Sequence, residues 1–419
     1  MIKVAVAALV LFSLFLSTGF DTIIAARNEI QNLFIVTTVG IDVGEEQDNV
    51  KLLVVTKEIG SEKEDTSKDD KKKYFTAEGE TIFGANRNFH SFMSKDIFWG
   101  HIDIIIMSHE LVEEKMANNL DFFIGDHESR LDSLLFVVKD STAEELIQIM
   151  TDSGEDITET INMLIGGVGA LSITSEMDLL SVSKQIVTGY SAIYIPVLLI
   201  KEDESKREES ENSDEKLTDS PDSKSEEKPS SSKKDLKVQL NGYAFFDNTT
   251  HKLSGFLLDH EARGFNWVID RVVSGTINVR DKKNKKVSLE IIEATPTIEA
   301  EMKDEEIKVI LKINMSSNIV DQTGTVDLIN DKSLNSLNIQ QETLIKNEIR
   351  SALNFATEKN LDIFAISSVI SHKYPIKWNK IKDKWREVYS TIEFKIEVEG
   401  KIERVYMTNT PIIVEKSEK

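Results

Sequence analysis

The chain has 419 residues, a formal net charge of −22, 40% apolar and 29% charged residues, and no cysteine. That length is enough for two or three domains, each with its own core. The negative balance argues against nucleic acid, which needs a basic footprint, and against general adhesion to anionic lipid, which attracts Lys and Arg. The missing thiol excludes disulfides, thiolate metal ligation, a cysteine nucleophile and a lipid carried on cysteine.

The first element is an apolar run, Val4 to Leu16, preceded by Lys3 and followed by Ser17-Thr18-Gly19-Phe20-Asp21. It falls short of the ~20 residues of a spanning helix and has the layout of an export signal. An uncleaved anchor from Ile2 to about Phe20 is the other reading, and both place the body outside the cytoplasm. No later stretch stays apolar for the length of a span, so membrane attachment is expected through the N-terminus alone.

Leu33 to Ile41 and Val50 to Ile59 read as strands, and Ser61 to Lys73 (SEKEDTSKDDKKK) as an exposed hairpin loop. Ile82, Ala85, Phe89 and Met93 stand at helical spacing. Ile102 to Met107, almost wholly apolar, and Leu134 to Val138 are short apolar runs, which suits buried strands. Ser108 is placed to cap a helix reaching about Ile124, and Ser141 to Glu145 opens another with a capping-box pattern. This alternation predicts a mixed α/β layer over residues 21–200.

Lys201 to Asp235 is Ser, Glu, Asp and Lys with Leu217 its lone apolar residue; it cannot bury enough surface to offset chain entropy and reads as a disordered acidic linker over 201–235. Residues 236–415 form the second domain, with a further split near 285 as an option. There Val238 to Phe246 and Leu253 to Leu258 read as strands joined by a turn at His251, followed by a helix from about Asp259 to Ile269. Alternation at Val287, Leu289 and Ile291, at Val309 to Met315 and at Ile392 to Val398 predicts half-buried strands of an antiparallel sheet. A long helix, Asn338 to about Lys359, carries Ile345, Ile349, Ala352 and Ala356 on one face. The fold class expected is therefore α+β and multi-domain: a mixed α/β N-terminal region and a C-terminal antiparallel sheet packed with helices.

Chemistry-bearing patterns are sparse. His109-Glu110 lacks the second histidine of a zinc-protease helix. Asp126-His127-Glu128 and Asp259-His260-Glu261 put ligand types on adjacent residues, which do not share a helix face. Gly166-Gly167-Val168-Gly169 follows a helix, not a strand, and reads as a flexible turn rather than a dinucleotide loop. No serine elbow or P-loop lysine occurs. The sequence thus offers no catalytic, cofactor-binding or metal-ligating residues. His372 to Arg386 is locally basic, with Trp378, Ile381 and Trp385 at the spacing of one helix face. That face either packs on the sheet or meets a partner or membrane.

Taken in order, several blocks resemble one family. They are Arg27-Asn28-Glu29-Ile30, Ile35 to Asp42, and Ile97-Phe98-Trp99-Gly100-His101 with Ile102 to Ile106. Downstream come Leu253 to Leu257, Glu261-Ala262-Arg263-Gly264 with Trp267, and His372-Lys373-Tyr374-Pro375 with Trp378 and Trp385. The set resembles the Ger(x)C family, the C subunits of nutrient germinant receptors of endospore-forming bacteria. The resemblance implies a non-enzymatic receptor subunit on the extracytoplasmic face of the spore inner membrane. Its implied partners are a multi-span A-type subunit and a transporter-like B-type subunit. It marks Trp99, Gly100, His101, Glu261, Arg263, Gly264, Trp267, Tyr374, Pro375 and Trp378 as fold or partner-contact positions, with Trp99 closing a core edge and Glu261 and Arg263 orienting a loop or pairing with each other. One departure is chemical: the family's lipid-bearing cysteine stands where this chain has Phe20, so no lipid can be attached there. Ser17 and Gly19 then permit cleavage after Gly19 and release, or the segment stays as an anchor. The rival classes are a secreted or tethered solute-binding protein serving a transporter, which calls for two similar lobes, and an extracytoplasmic hydrolase, which calls for a convergent acid–base pair.

Overall fold

A computed structural model describes residues 33–46, 48–57, 74–114, 116–202, 236–303 and 306–405, with the side chains of 404 and 405 excepted. The export or anchor segment, Phe20, the 61–73 loop and nearly all of the 201–235 linker lie outside the described residues.

The first sheet has nine strands, and its centre is parallel. Strand β1 (Leu33–Val43) pairs antiparallel with β2 (Val50–Lys57), which pairs with β3 (Tyr74–Gly79). On its other side β1 runs parallel to β5 (Ile104–Ser108), then come β6 (Leu134–Val138) and β7 (Ile193–Glu202), all parallel. Short β4 (Asp96–Phe98) pairs with the start of β1. Strands β8 (Leu236–Phe246) and β9 (Leu253–Leu257) complete the sheet in antiparallel sense. The apolar runs of β5, up to Met107, and of β6 are explained by burial on both faces. Ile105, Met107, Leu135 and Val137 enter one core, and Ile104, Ile106, Phe136 and Val138 the other. The first core is closed by α1 (Ile82–Phe89), α2 (His109–Glu114), α3 (Met116–Gly125) and α6 (Leu179–Thr188); the second by α4 (Ala143–Asp152) and α5 (Ile157–Val168). The capping expected at α4 is present, with Thr142 Oγ1 accepting from Glu145 N at 3.0 Å. Gly166 and Gly167, expected in a turn, lie in the last turn of α5, and Gly169 follows as its C-cap.

Because β8 and β9 belong to this sheet, residues on both sides of the 201–235 segment share one core. The second sheet runs β10 (Thr276–Arg280), β11 (Lys286–Lys303), β12 (Glu306–Gln322), β13 (Glu393–Val405). A division near 285 would cut the β10–β11 hairpin. The expectation of an antiparallel sheet needs one correction: β13 lies parallel to β12. Side-chain alternation shows which face is buried and says nothing of direction. Direction is set by the long, mostly helical crossover between the two strands. It comprises the 29-residue α8 (Asp331–Lys359), α9 (Ile366–Lys373), α10 (Pro375–Ile381), a 3₁₀ turn and α11 (Trp385–Tyr389). Helix α8 buries Leu337, Gln341, Ile345, Ile349, Ala352 and Ala356 toward the sheet and α7 (Asp259–Val268).

Candidate functional site at the junction of the two sheets

The marked positions fall into three places. Trp99 is buried in the first core, edge-on to Phe122 and Phe123. A side chain at Gly100 would collide with the Phe98 ring, and exposed His101 stands edge-on to the same ring. This block shares no core with the others.

The second place is α7 against α8. Arg263 pairs with Glu348 on α8 in bidentate fashion, Nε donating to one carboxylate oxygen at 3.0 Å and Nη2 to the other, while Nη1 reaches Thr276 O at 3.2 Å. Trp267 Nε1 donates to the same carboxylate at 2.9 Å. Of the two roles expected of Glu261 and Arg263, orienting a loop or pairing with each other, the pairing is corrected: two residues apart on a helix point to different sides, and the partner of Arg263 comes from 85 positions on. Gly264 faces the α8 backbone directly.

The third place is the C-terminal block. The predicted single helix face is divided between α10, the 3₁₀ turn Lys382–Lys384 and α11, yet Trp378 and Trp385 remain together, ring centres 5.1 Å apart. Trp378 also meets Tyr190 at 5.0 Å, and Trp385 meets Tyr389 at 5.9 Å. Pro375 is the first residue of α10, where its missing N–H costs nothing. Tyr374 lies under the ammonium groups of Lys373 and Lys377, which donate to the carbonyls of Ala300 and Met302 at 2.8 and 2.9 Å.

Behind these rings lies a cleft of about 260 Å³ between the first sheet and the second domain's helices. Four separate segments form it: the turn after α6, the end of β8, the end of α8 and the stretch through α11. Asp362, fully enclosed, accepts from Ile366 N and Ser367 N at 2.8 Å each. Burial pushes its carboxyl up, against the lowering effect of those amides and of the nearby Trp385 indole. Tyr389 is raised far above an ordinary phenol by burial and by Asp362, so it stays a neutral donor. Burial alone would raise Asp247 too. The amides of Thr250 and Thr249, with the Arg386 charge at 2.7 Å, outweigh burial and hold it low. Four buried polar atoms here have no hydrogen-bond partner of good geometry: Asn248 Oδ1, Asn360 Oδ1, Trp385 Nε1 and Tyr389 Oη. No sequence pattern singled out Asn248, Asn360, Asp362 or Tyr389, since each comes from a different element and none sits in a spaced motif. Among the described residues, no three His, Asp or Glu side chains are grouped to hold a metal ion.

Two dissimilar sheets joined by helical crossovers define a mixed α/β, multi-domain protein. Its fold is that of the solved structure described as "Crystal Structure of the GerBC protein", with a TM-score of 0.52 over 87% of this chain and 96% of that one at 15% identity. Residues 26–200 match the family model "Spore germination protein N-terminal domain", and residues 241–406 match "Spore germination B3/ GerAC like, C-terminal". The chain belongs to this GerAC-type family of spore germination proteins. Relatives include the Bacillus subtilis (strain 168) spore germination protein KC, 22% identical over 81% of this chain and 80% of that one. Spore germination protein B3 of the same organism is 21% identical over 78% and 79%.

Proposed function

We propose that this chain is the non-enzymatic C-type subunit of a membrane-associated nutrient germinant receptor required for spore germination. It works beside an A-type multi-span subunit and a B-type transporter-like subunit on the extracytoplasmic face of the spore inner membrane. The observation that carries this reading is the ordered match of both family models across the chain. The unlike sheets, of nine and four strands, further support it over a solute-binding protein of two similar lobes. Among the described residues no helix is long and apolar enough to cross a membrane; the attachment we assign to this chain is through its N-terminal apolar segment, Val4 to Leu16. With Phe20 at the family's cysteine position, that segment holds by insertion rather than by lipid. In spores whose sole C-type gene is this one, deletion abolishes nutrient germination and a restored copy recovers it; normal germination of the deletant overturns the reading. Mass spectrometry of membrane and soluble fractions checks the anchor: an intact Met1 in membranes supports it, and a soluble chain starting at Phe20 contradicts it.

A further inference from the structure

Helix α6 lies along one end of the first sheet. Strands β1, β5, β6 and β7 are parallel, so Leu33, Ile104, Leu134 and Ile193 all begin at that end. Leu180 N donates to Leu131 O at 2.8 Å just before β6, and residues 189–192 lead from α6 into β7. The helix buries Leu179 and Val182. Its outer face carries Leu180, Lys184 and Val187 at helical spacing, and all three are exposed, Val187 by 85%. Surface helices ordinarily turn polar residues outward. Tyr190, at the end of α6, meets Trp378 on α10, ring centres 5.0 Å apart, and beside that contact Ile376 is 77% exposed. The tryptophans of the basic stretch thus pack inward, while Ile376 stands in solvent close to the end of α6.

The charge around these apolar groups runs against the −22 of the whole chain. Residues 179–192 and 372–390 hold seven Lys and Arg but only two carboxylates, Asp383 and Glu387. Arg386 is taken up by Asp247. Among the described residues, none of the six lysines in these stretches forms an ion pair; Lys373 and Lys377 meet only backbone carbonyls and the Tyr374 ring. Opposing charge borders the patch on the β6 side, with Glu176 and Asp178 before α6 and Asp126, Glu128 and Asp132 before β6.

Residues 17–32 join the apolar run Val4 to Leu16 to the start of β1 and span at most about 60 Å. The chain therefore enters the body at the end of the sheet where α6 lies. A bilayer holding the apolar run keeps this end near it at high effective concentration, so a patch too weak to recruit free protein suffices once tethered. The overall negative charge repels an anionic surface, and a face of inverted charge escapes that repulsion. Lysines meeting headgroups while aliphatic side chains dip among them is how an interfacial helix binds.

We propose that the outer face of α6 and the adjoining α10–α11 stretch lie on an anionic bilayer surface. Val187 and Ile376 enter the headgroup layer, and Lys184, Lys380 and Lys384 meet lipid phosphates. This assignment rests on the N-terminal attachment proposed above and adds the face that the body turns to the membrane.

The chain has no cysteine, so a single introduced one can be labelled selectively. Full-length protein carrying Val187→Cys, Ile376→Cys or, in the exposed turn at the far end of β1, Glu46→Cys is labelled with nitrobenzoxadiazole. It is mixed with vesicles of equal parts phosphatidylcholine and phosphatidylglycerol, and flotation measures binding. On bound protein, emission at positions 187 and 376 is expected to rise about twofold and to be quenched by doxyl-labelled lipid, with no change at position 46. Lys380→Glu with Lys384→Glu should abolish the rise at position 376. Both lysines are exposed and form no ion pair among the described residues, so the fold does not depend on them. Labels that stay in water on bound protein, or a rise that survives the charge reversal, overturn the membrane face and leave the anchor standing. A rise without vesicles that grows with protein concentration overturns it in favour of a contact between copies. A chain that does not float with the vesicles overturns both the anchor and the face.

Discussion

Gly264 on α7 lies so close to the carbonyl oxygen of Glu348 on α8 that a methyl group on its Cα would sit far inside van der Waals contact with the α8 backbone. The two helices therefore cross backbone to backbone at this point. Helix propensity alone predicts that Gly264→Ala gains about 1 kcal/mol. The clash decides the sign, since backbone cannot step aside as a flexible side chain can. The substitution is expected to cost about 3 kcal/mol, measured by urea unfolding. A variant as stable as the native chain would show that α7 and α8 are spaced more widely than described.

The same crossing holds a carboxylate with three donors. Glu348 accepts from Arg263 and Trp267, and the paired side chains are only 12% and 17% exposed. Removing it leaves a largely buried guanidinium and an indole N–H without their partner. Glu348→Ala should cost about 3–5 kcal/mol, the range for breaking a buried pair from one side. Replacing Arg263 by Met as well should recover part of that loss, because the uncompensated charge goes with it. A double-mutant cycle by denaturant unfolding gives the coupling. Additive losses would mean that the pair contributes nothing as a pair.

Asp362 makes a prediction about pH. Burial raises its folded-state carboxyl above the unfolded value of about 3.9. The native state then binds more protons than the unfolded one, so Asp362 weakens stability as pH rises from about 4 through its raised folded pKa. Asp362→Asn cannot ionise and escapes this loss. The amide group must, however, face one of the two N–H donors of α9, which costs about 1–3 kcal/mol. The native chain should accordingly be the more stable at low pH, and the gap should narrow as pH rises. Urea melts of both proteins across pH 4 to 8 measure it; Asp42, also raised by burial, is common to both and cancels. A gap that widens with pH would mean that the α9 amides dominate and hold the carboxylate charged.

Where burial alternates along the chain, the fold was legible: β11 and β12 bury Val287, Leu289, Val309, Leu311 and Ile313 as the pattern expects. The apolar β5 and β6 were legible too, because burial on both faces leaves a continuous run. What the pattern lacks is any signal of strand direction or of long-range partners. Hence β13 was expected antiparallel, and nearby Glu261 was the pairing option offered for Arg263, with nothing to point to distant Glu348. The cleft stayed hidden for a related reason. Its polar groups are brought together by tertiary packing of four loops and helix ends, and isolated Asn, Asp or Tyr residues carry no period. Trp378 and Trp385 were visible because an aromatic pair at seven-residue spacing stands out, even though α10 and α11 divide the face they were thought to share.

Asp42 supplies a long-range cap that tests how the first sheet orders its helices. From β1 it accepts from Ala143 N at 2.7 Å and Glu144 N at 2.9 Å, the first amides of α4, although it is 4% exposed. Those amides have no partner within the helix, and the positive end of the helix dipole favours a carboxylate there. The position is also costly, since burial disfavours the charge. The net effect is decided by what replaces it. Asp42→Ala leaves two amides without acceptors, an expected loss of about 2–3 kcal/mol. Asp42→Asn keeps one acceptor and should lose about half as much. Hydrogen exchange separates this from a general loosening: the amides of Ala143 and Glu144 should exchange faster by a larger factor than those of β5 and β6. Uniform acceleration across the sheet would show that Asp42 supports the core as a whole rather than the start of α4.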